Sequence, residues 1–164
     1  MDHVRRIGNG IGLVSKLSAR KWSPEKGWED LGVLGRRCVT DVFCNLLADC
    51  LQGGASGLVD LATFKYHDCG TGTNAEDQTD TALQTPSGMA RVVGTQVEGS
   101  SAYIYKSVAT VTSTISGTTA ITEHGLFHES SGGILMDRTV FGAINVDLGN
   151  KIEFTYELNI IAGG

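Results

Sequence analysis

The stretch Lys151-Ile152-Glu153-Phe154-Thr155-Tyr156-Glu157-Leu158-Asn159-Ile160 sets Ile152, Phe154, Tyr156, Leu158 and Ile160 in strict alternation with Lys151, Glu153, Thr155, Glu157 and Asn159. A period of two is the pattern of a strand with one buried and one wet face, so residues 151–161 predict an antiparallel strand. Just upstream, Ile121-Thr122-Glu123-His124-Gly125-Leu126-Phe127 and Ile134-Leu135-Met136-Asp137-Arg138-Thr139-Val140-Phe141 are two apolar runs separated by Ser131-Gly132-Gly133. That spacing predicts a hairpin feeding the last strand. Further back, Met89 to Glu98 and Tyr103 to Ile115 read as two long strands rich in Val, Thr and Tyr, and Ala62 to His67 as a short one. The turn-rich segment from Asp68 to Pro86 between them is long for a compact domain, and loops of that length tend to be functional or to reach toward a neighbour.

One helix interrupts this pattern. Val39, Val42, Phe43, Leu46, Leu47 and Cys50 recur at spacings of three and four, Thr40 is placed to cap the N-terminus, and Gly53-Gly54 ends the run. The expectation is therefore a mainly β chain, an antiparallel β-sandwich of jelly-roll type over residues 38–164, with a helix near 40–52 covering one side. The chain has 164 residues, and at that length about two thirds of the unfolded surface can be buried, enough for one core without metal or disulfides.

Residues 1–37 read differently, as an extended basic arm. They carry eight basic residues (Arg5, Arg6, Lys16, Arg20, Lys21, Lys26, Arg36 and Arg37) against four acidic ones, a net +4, whereas the remainder carries −9 of the total −5. A basic segment on an acidic body suggests docking onto an acidic surface, which could be a second copy, a partner protein or nucleic acid. Ile7-Gly8-Asn9-Gly10-Ile11-Gly12-Leu13 is too poor in apolar residues to build a core. Trp22 and Trp28, the two tryptophans of the chain, flank Ser23-Pro24-Glu25-Lys26-Gly27. Tryptophan and arginine are frequent interface anchors, so Arg5, Arg6, Lys16, Arg20, Lys21, Trp22, Trp28, Arg36 and Arg37 are the candidate partner-binding residues. The alternative is that both tryptophans fold back over their own domain. Nucleic acid is the weaker target, because no helix-turn-helix, zinc finger or aromatic platform accompanies these charges.

Residues capable of chemistry are few and poorly placed for it. His124 and His128 stand four apart on a strand, about 13 Å, too far to share one ion. His67-Asp68-Cys69 is compact but reads as a strand-end histidine beside a buried thiol. Asn74 to Asp80 is acidic yet lacks the glycine and distal glutamate of a calcium loop. Gly70-Thr71-Gly72-Thr73 lacks the Lys of a phosphate-binding loop, which leaves a turn. Glu123-His124 and Asp137-Arg138 read as a hydrogen-bonded turn and an ion pair. No Gly-x-Ser-x-Gly elbow and no spaced carboxylate pair is present, so no catalytic, metal or cofactor residue is assigned. Cys38, Cys44, Cys50 and Cys69 include no Cys-x-x-Cys pair. Cys44 and Cys50 would project about 240° apart on a helix, and reduced, mostly buried thiols in a reducing cytoplasm are the expectation. No apolar stretch approaches the length of a membrane span.

The order Gly70-Thr71-Gly72-Thr73, Asp80-Thr81-Ala82-Leu83, Thr122-Glu123-His124-Gly125-Leu126-Phe127 and Asp137-Arg138-Thr139-Val140-Phe141, followed by an alternating strand, resembles small virion proteins of tailed bacteriophages. These are accessory capsid proteins (cement or decoration proteins) and related tail or baseplate components. The likeness runs from roughly Phe64 onward, with a weaker echo at Trp22 to Arg37. It implies a non-enzymatic structural protein located in the virion and assembled in the host bacterial cytoplasm, whose partner is the major capsid protein or another virion protein. On this reading Trp22, Trp28, Arg36 and Arg37 hold the shell, and a sheet face serves self-association, with a trimer suited to local three-fold sites. A tail or baseplate component is the alternative. A carbohydrate-binding tip would instead use Tyr103 and Tyr105.

Overall fold

The computed structural model describes residues 11–36, 39–53 and 59–162, and these described residues form nine strands and one α-helix. The strands are β1 (Gly12–Ser23), β2 (Gly27–Gly35), β3 (Tyr66–Gly70), β4 (Val92–Val93), β5 (Thr95–Glu98), β6 (Ile104–Thr112), β7 (Thr119–Phe127), β8 (Leu135–Val146) and β9 (Lys151–Ile161), with α1 at Asp41–Gln52. They form two antiparallel sheets, in the order β2-β1-β9-β6-β5 for the larger and β4-β3-β7-β8 for the smaller. The expected mainly β, two-sheet architecture with one helix is present. Consecutive strands pair two by two, and the pairs alternate between the sheets: β1β2, β3β4, β5β6, β7β8. The last strand then returns to the larger sheet and fills the gap between β1 and β6. The hairpin β7–β8 thus does not pair with β9, as its position in the chain suggested, but faces it across the core.

The core lies between the sheets. β9 contributes Ile152, Phe154, Tyr156 and Leu158, all buried, in the predicted alternation. Facing them are Leu17 and Ala19 of β1, Val111 of β6, Ile121 and Leu126 of β7, and Phe141, Ile144 and Val146 of β8. Ile160 continues the alternation but is exposed, because it lies at the open end of the sandwich. Helix α1 is capped as the sequence predicts. Thr40 Oγ1 accepts from the Phe43 amide at 3.3 Å, and Gly53 closes the last turn with φ of 63°. Phe43 is its buried residue and meets the Phe64 ring edge-on at 5.0 Å, so the helix adds to the core beside the start of β8.

Four expectations are corrected. The 1–37 boundary does not separate an arm from the domain: residues 12–35 are a hairpin whose first strand pairs with β9 along its whole length, from Gly12 opposite Ile161 to Trp22 opposite Lys151. Residues 1–10 of the expected arm lie outside the described residues. The strand expected at 62–67 is a single turn of 3₁₀ helix at Leu61–Thr63, and the strand follows it as β3. The long strand expected at 89–98 is broken in two at Gly94, where the chain leaves the smaller sheet (β4) and joins the larger (β5). A Cβ at Gly94 would sit 2.8 Å from His67 Nε2, so the crossing needs glycine.

The fourth concerns the start of the 71–91 loop: the Gly70 to Thr73 segment expected as a turn runs on from β3 beside Thr85 and Pro86, and the loop folds back onto the outer face of the smaller sheet. Leu83 packs with Phe127 and Leu135 there. Beneath it, the fully buried Glu123 accepts from the Gly72 (3.1 Å), Gln84 (3.1 Å) and Thr85 (2.7 Å) amides and from Arg138 Nε at 2.7 Å. Arg138 reaches on to Asp80 at 3.0 Å and to the Asn74 carbonyl at 3.1 Å. The Gly70-Thr71-Gly72-Thr73 segment therefore wraps a carboxylate of its own chain. A Cβ at Gly72 would lie 2.6 Å from Glu123 Oε1.

Candidate functional site

Two groups of residues could support a function: the solvent face of the larger sheet, and a set of polar side chains enclosed between the sheets. The first is built by β1, β9 and β2. Alternate residues of β1 from Lys16 to Trp22 point outward, as do Lys151, Glu153, Thr155 and Glu157 of β9, and the pairing register sets Lys16 opposite Glu157, Arg20 opposite Glu153 and Trp22 opposite Lys151. Lys16 forms an ion pair with Glu157, and Arg20 holds Glu153 through two hydrogen bonds of 2.7 and 3.0 Å. Hydrogen bonding to Glu153 raises the Arg20 pKa further. Two of the basic residues, Lys16 and Arg20, thus find their acidic partners on strand β9 of the same chain.

Trp22 and Trp28 are direct cross-strand partners in the β1–β2 hairpin. Lys151 Nζ stands 5.2 Å from the Trp22 ring centre and Arg20 Cζ 4.4 Å from that of Trp28, so both indoles carry a cation on one face. Trp22 is half-buried and Trp28 is 42% exposed. Beyond them β2 is an edge strand, with Leu31 38% and Val33 50% exposed. A sheet edge presents unpaired backbone groups to any incoming strand, and here three large apolar side chains accompany it.

Among the sequence-derived candidates, Trp22, Trp28 and the exposed Arg36 lie on or next to this hairpin. Lys16 and Arg20 share its face but are engaged by Glu157 and Glu153. Lys21 stands in the other row of β1, opposite Glu29 and Ile152. Arg5, Arg6 and Arg37 lie outside the described residues. What sequence reasoning missed is that Leu31 and Val33 belong to the same surface; the signal was the short gap from Trp22 to Trp28, centred on Pro24 to Gly27, which is that of a hairpin turn. Tyr103 is exposed but Tyr105 is not its partner: its hydroxyl donates to the Phe64 carbonyl and accepts from Gln96 at 3.1 Å.

The enclosed group consists of His67, His124, Ser107, Ser15, Asp137 and Thr139, all buried. His67 Nδ1 and His124 Nε2 are 2.9 Å apart, and His67 Nε2 is 2.8 Å from Ser107 Oγ. Ser15 donates to Asp137 at 2.6 Å, and Thr139 donates to the other carboxylate oxygen at 2.9 Å. Burial, with the Asp137 charge adding, pushes the Tyr156 phenol well above its ordinary range. The expected ion pair between Asp137 and Arg138 does not form, because neighbours on a strand project to opposite faces. Asp137 faces Ser15 across the core, whereas Arg138 pairs with Glu123 on the outer face. Glu123 and His124 are likewise mid-strand residues on opposite faces rather than a turn.

His128 is separate from His124, its Nδ1 accepting from the Ile134 amide at 2.7 Å. In the acidic 74–80 segment Asp77 accepts from Thr79 and Asp80 binds Arg138. Among the described residues no cluster of three or more His, Cys, Asp or Glu could hold a metal, and no helix is long and apolar enough to cross a membrane. Of the described cysteines Cys69 is buried, its thiol pushed up by burial to about 12, whereas Cys44 is exposed. Comparison of the chain with protein-family models, with curated proteins and with solved structures returned no match.

Proposed function

We propose that this chain is a non-enzymatic virion structural protein, a capsid cement or decoration protein that binds the major capsid protein lattice through the β1–β2 hairpin and self-associates through its sheets. The observation that carries the reading is the edge strand β2, with Trp28, Leu31 and Val33 exposed beside Trp22 and Arg36. Aromatic and arginine side chains grouped with aliphatic ones at a strand edge suit a protein partner, by strand addition or by insertion of the indole into a pocket. The His67–Ser107 hydrogen bond, by contrast, joins groups of the kind used in acyl transfer but lies fully buried, where no substrate reaches it. The sequence resemblance to phage accessory capsid proteins supplies the particle context. A cement protein stabilises a shell by binding several subunits at once, and high effective concentration then holds each contact while the others persist.

Labelling of intact particles with an antibody to this chain, viewed by electron microscopy, tests the proposal. Label spread over the head is expected. Label confined to the tail would replace the cement reading with a tail or baseplate one, and unlabelled particles would remove the virion assignment. The double variant Trp22→Ala, Trp28→Ala is expected to fold and to lose particle binding; unchanged binding would move the site off the hairpin.

A further inference from the structure

The hydrogen bonds among His124, His67 and Ser107 tie the two sheets together at a point with no access to solvent. His67 on β3 and His124 on β7 are diagonal neighbours on the inner face of the smaller sheet, since His67 lies opposite Leu126 and Cys69 opposite His124. Ser107 projects from β6 of the larger sheet, and all three residues are 0% exposed. Across the 2.9 Å between the rings one nitrogen must donate and the other accept. His124 Nδ1 has no hydrogen-bond partner. If His67 donated, the proton of His124 would sit on that nitrogen as an orphaned buried donor. If His124 donates from Nε2, only a lone pair is left unpaired, and orphaned acceptors are better tolerated than orphaned N–H groups. The chain therefore runs from His124 Nε2–H to His67 Nδ1, and from His67 Nε2–H to Ser107 Oγ, both rings neutral.

No second proton can be accommodated. On His67 it would set N–H against N–H at 2.9 Å or, with His124 in its other tautomer, leave the His124 Nδ1–H an orphaned donor, and on His124 it would create a charged donor with no acceptor, beside the Phe154 ring at 4.6 Å. The surroundings offer no counter-charge in hydrogen-bond contact with either ring. Cys69 of β3 lies opposite His124, β9 supplies Phe154 and Tyr156 to the same core, and β4–β5 presents Gly94. From β8, Thr139 lies opposite His124, and Asp137 is held by Ser15 of β1 and by Thr139. Glu123 and Arg138 lie on the other face of the sheet.

We propose that the His124–His67–Ser107 chain is a proton-operated latch between the two sheets, closed when both imidazoles are neutral and broken when either takes up a proton, so that acid lowers the stability of the folded sandwich. Burial supports this, pushing His67 down to about 3 and, with His67 adding, His124 well below the ordinary histidine range. The sign follows. The unfolded chain protonates these rings at about 6.5 and the folded chain only far below, so the stability they contribute is complete above that pH and is lost as pH falls toward 3. In the upper part of this window each ring raises the unfolding constant by about tenfold per pH unit.

Denaturant unfolding of the intact chain at a series of pH values between 7 and 5 reads this. The wild type is expected to show the steep loss, and the double variant His67→Gln, His124→Gln a much flatter one. A flat wild-type profile, or an equal slope in the variant, would overturn the latch. Should the variant fail to fold, ring ¹⁵N resonances of the folded wild type at pH 6 decide: two neutral Nε2–H rings assigned to His67 and His124 are expected, and an imidazolium at either position would overturn it.

Discussion

The outer faces of the two sheets are opposites. That of the larger sheet is open: on β1 and β9 a buried residue alternates with a part-exposed one, and the outward row is a ladder of Lys16–Glu157 and Arg20–Glu153 pairs ending in the two tryptophans. That of the smaller sheet is roofed by the 71–91 loop, and β7 from Ile121 to Phe127 and β8 from Leu135 to Thr139 are buried without alternation. Strands covered on both faces lose the period of two. The difference teaches where function can reside. The smaller sheet has committed much of its outer face to its own chain, whereas the larger sheet retains an open outer face beside the exposed edge of β2.

Several substitutions would break or sharpen that contrast. The largest effect is expected from Glu123→Ala, which orphans three backbone amides and the Nε–H of the buried Arg138 and removes one of its two carboxylate partners. Removing one member of a buried pair costs about 3–5 kcal/mol, and denaturant unfolding together with faster amide exchange at Gly72, Gln84 and Thr85 would register both the loss and the lifted roof. If stability fell by less than about 1 kcal/mol, the roof would be held by something other than this carboxylate. Leu83→Ala, which removes the apolar plug of the same loop, is expected to cost about 2–5 kcal/mol by the same assay. A middle value is expected for Thr40→Ala, about 1 kcal/mol for the loss of the helix cap. It would be read as a lower denaturation midpoint with an unchanged denaturant slope. Val33→Lys on the open edge should fall within about 0.5 kcal/mol of wild type while weakening particle binding. A large stability loss there would mean that the edge is covered by this chain itself.

Much of this was legible in the residues. β9 and α1 stand where their periods put them, because a strand face or a helix stripe is a local property of ten or so consecutive side chains. The hairpin β1–β2 was not legible as part of the sandwich. Its inward row is Leu13, Ser15, Leu17 and Ala19, and Ser15, committed to Asp137 on the opposite sheet, and the small Ala19 dilute the apolar alternation that marks a strand. Lys16 and Arg20 of the basic segment meet Glu157 and Glu153 of their own chain, more than a hundred residues away in sequence. Glu123 and Arg138 also looked unrelated. Each was read with its chain neighbour, Glu123 with His124 and Arg138 with Asp137, and only the register of β7 against β8 brings them together.

The sequence by itself determined the β-rich class, the last strand, the capped helix and the tryptophans as the aromatic feature of the basic segment. These follow from side-chain periodicity, capping and glycine placement, which act over a few residues. Only the tertiary structure decided which strands share a sheet, which acid each base meets, which loop roofs the smaller sheet, and that His67, His124 and Ser107 form one hydrogen-bonded chain. Those outcomes depend on long-range register and on the cost of burying an unpaired polar group, and neither is written in any single stretch of residues.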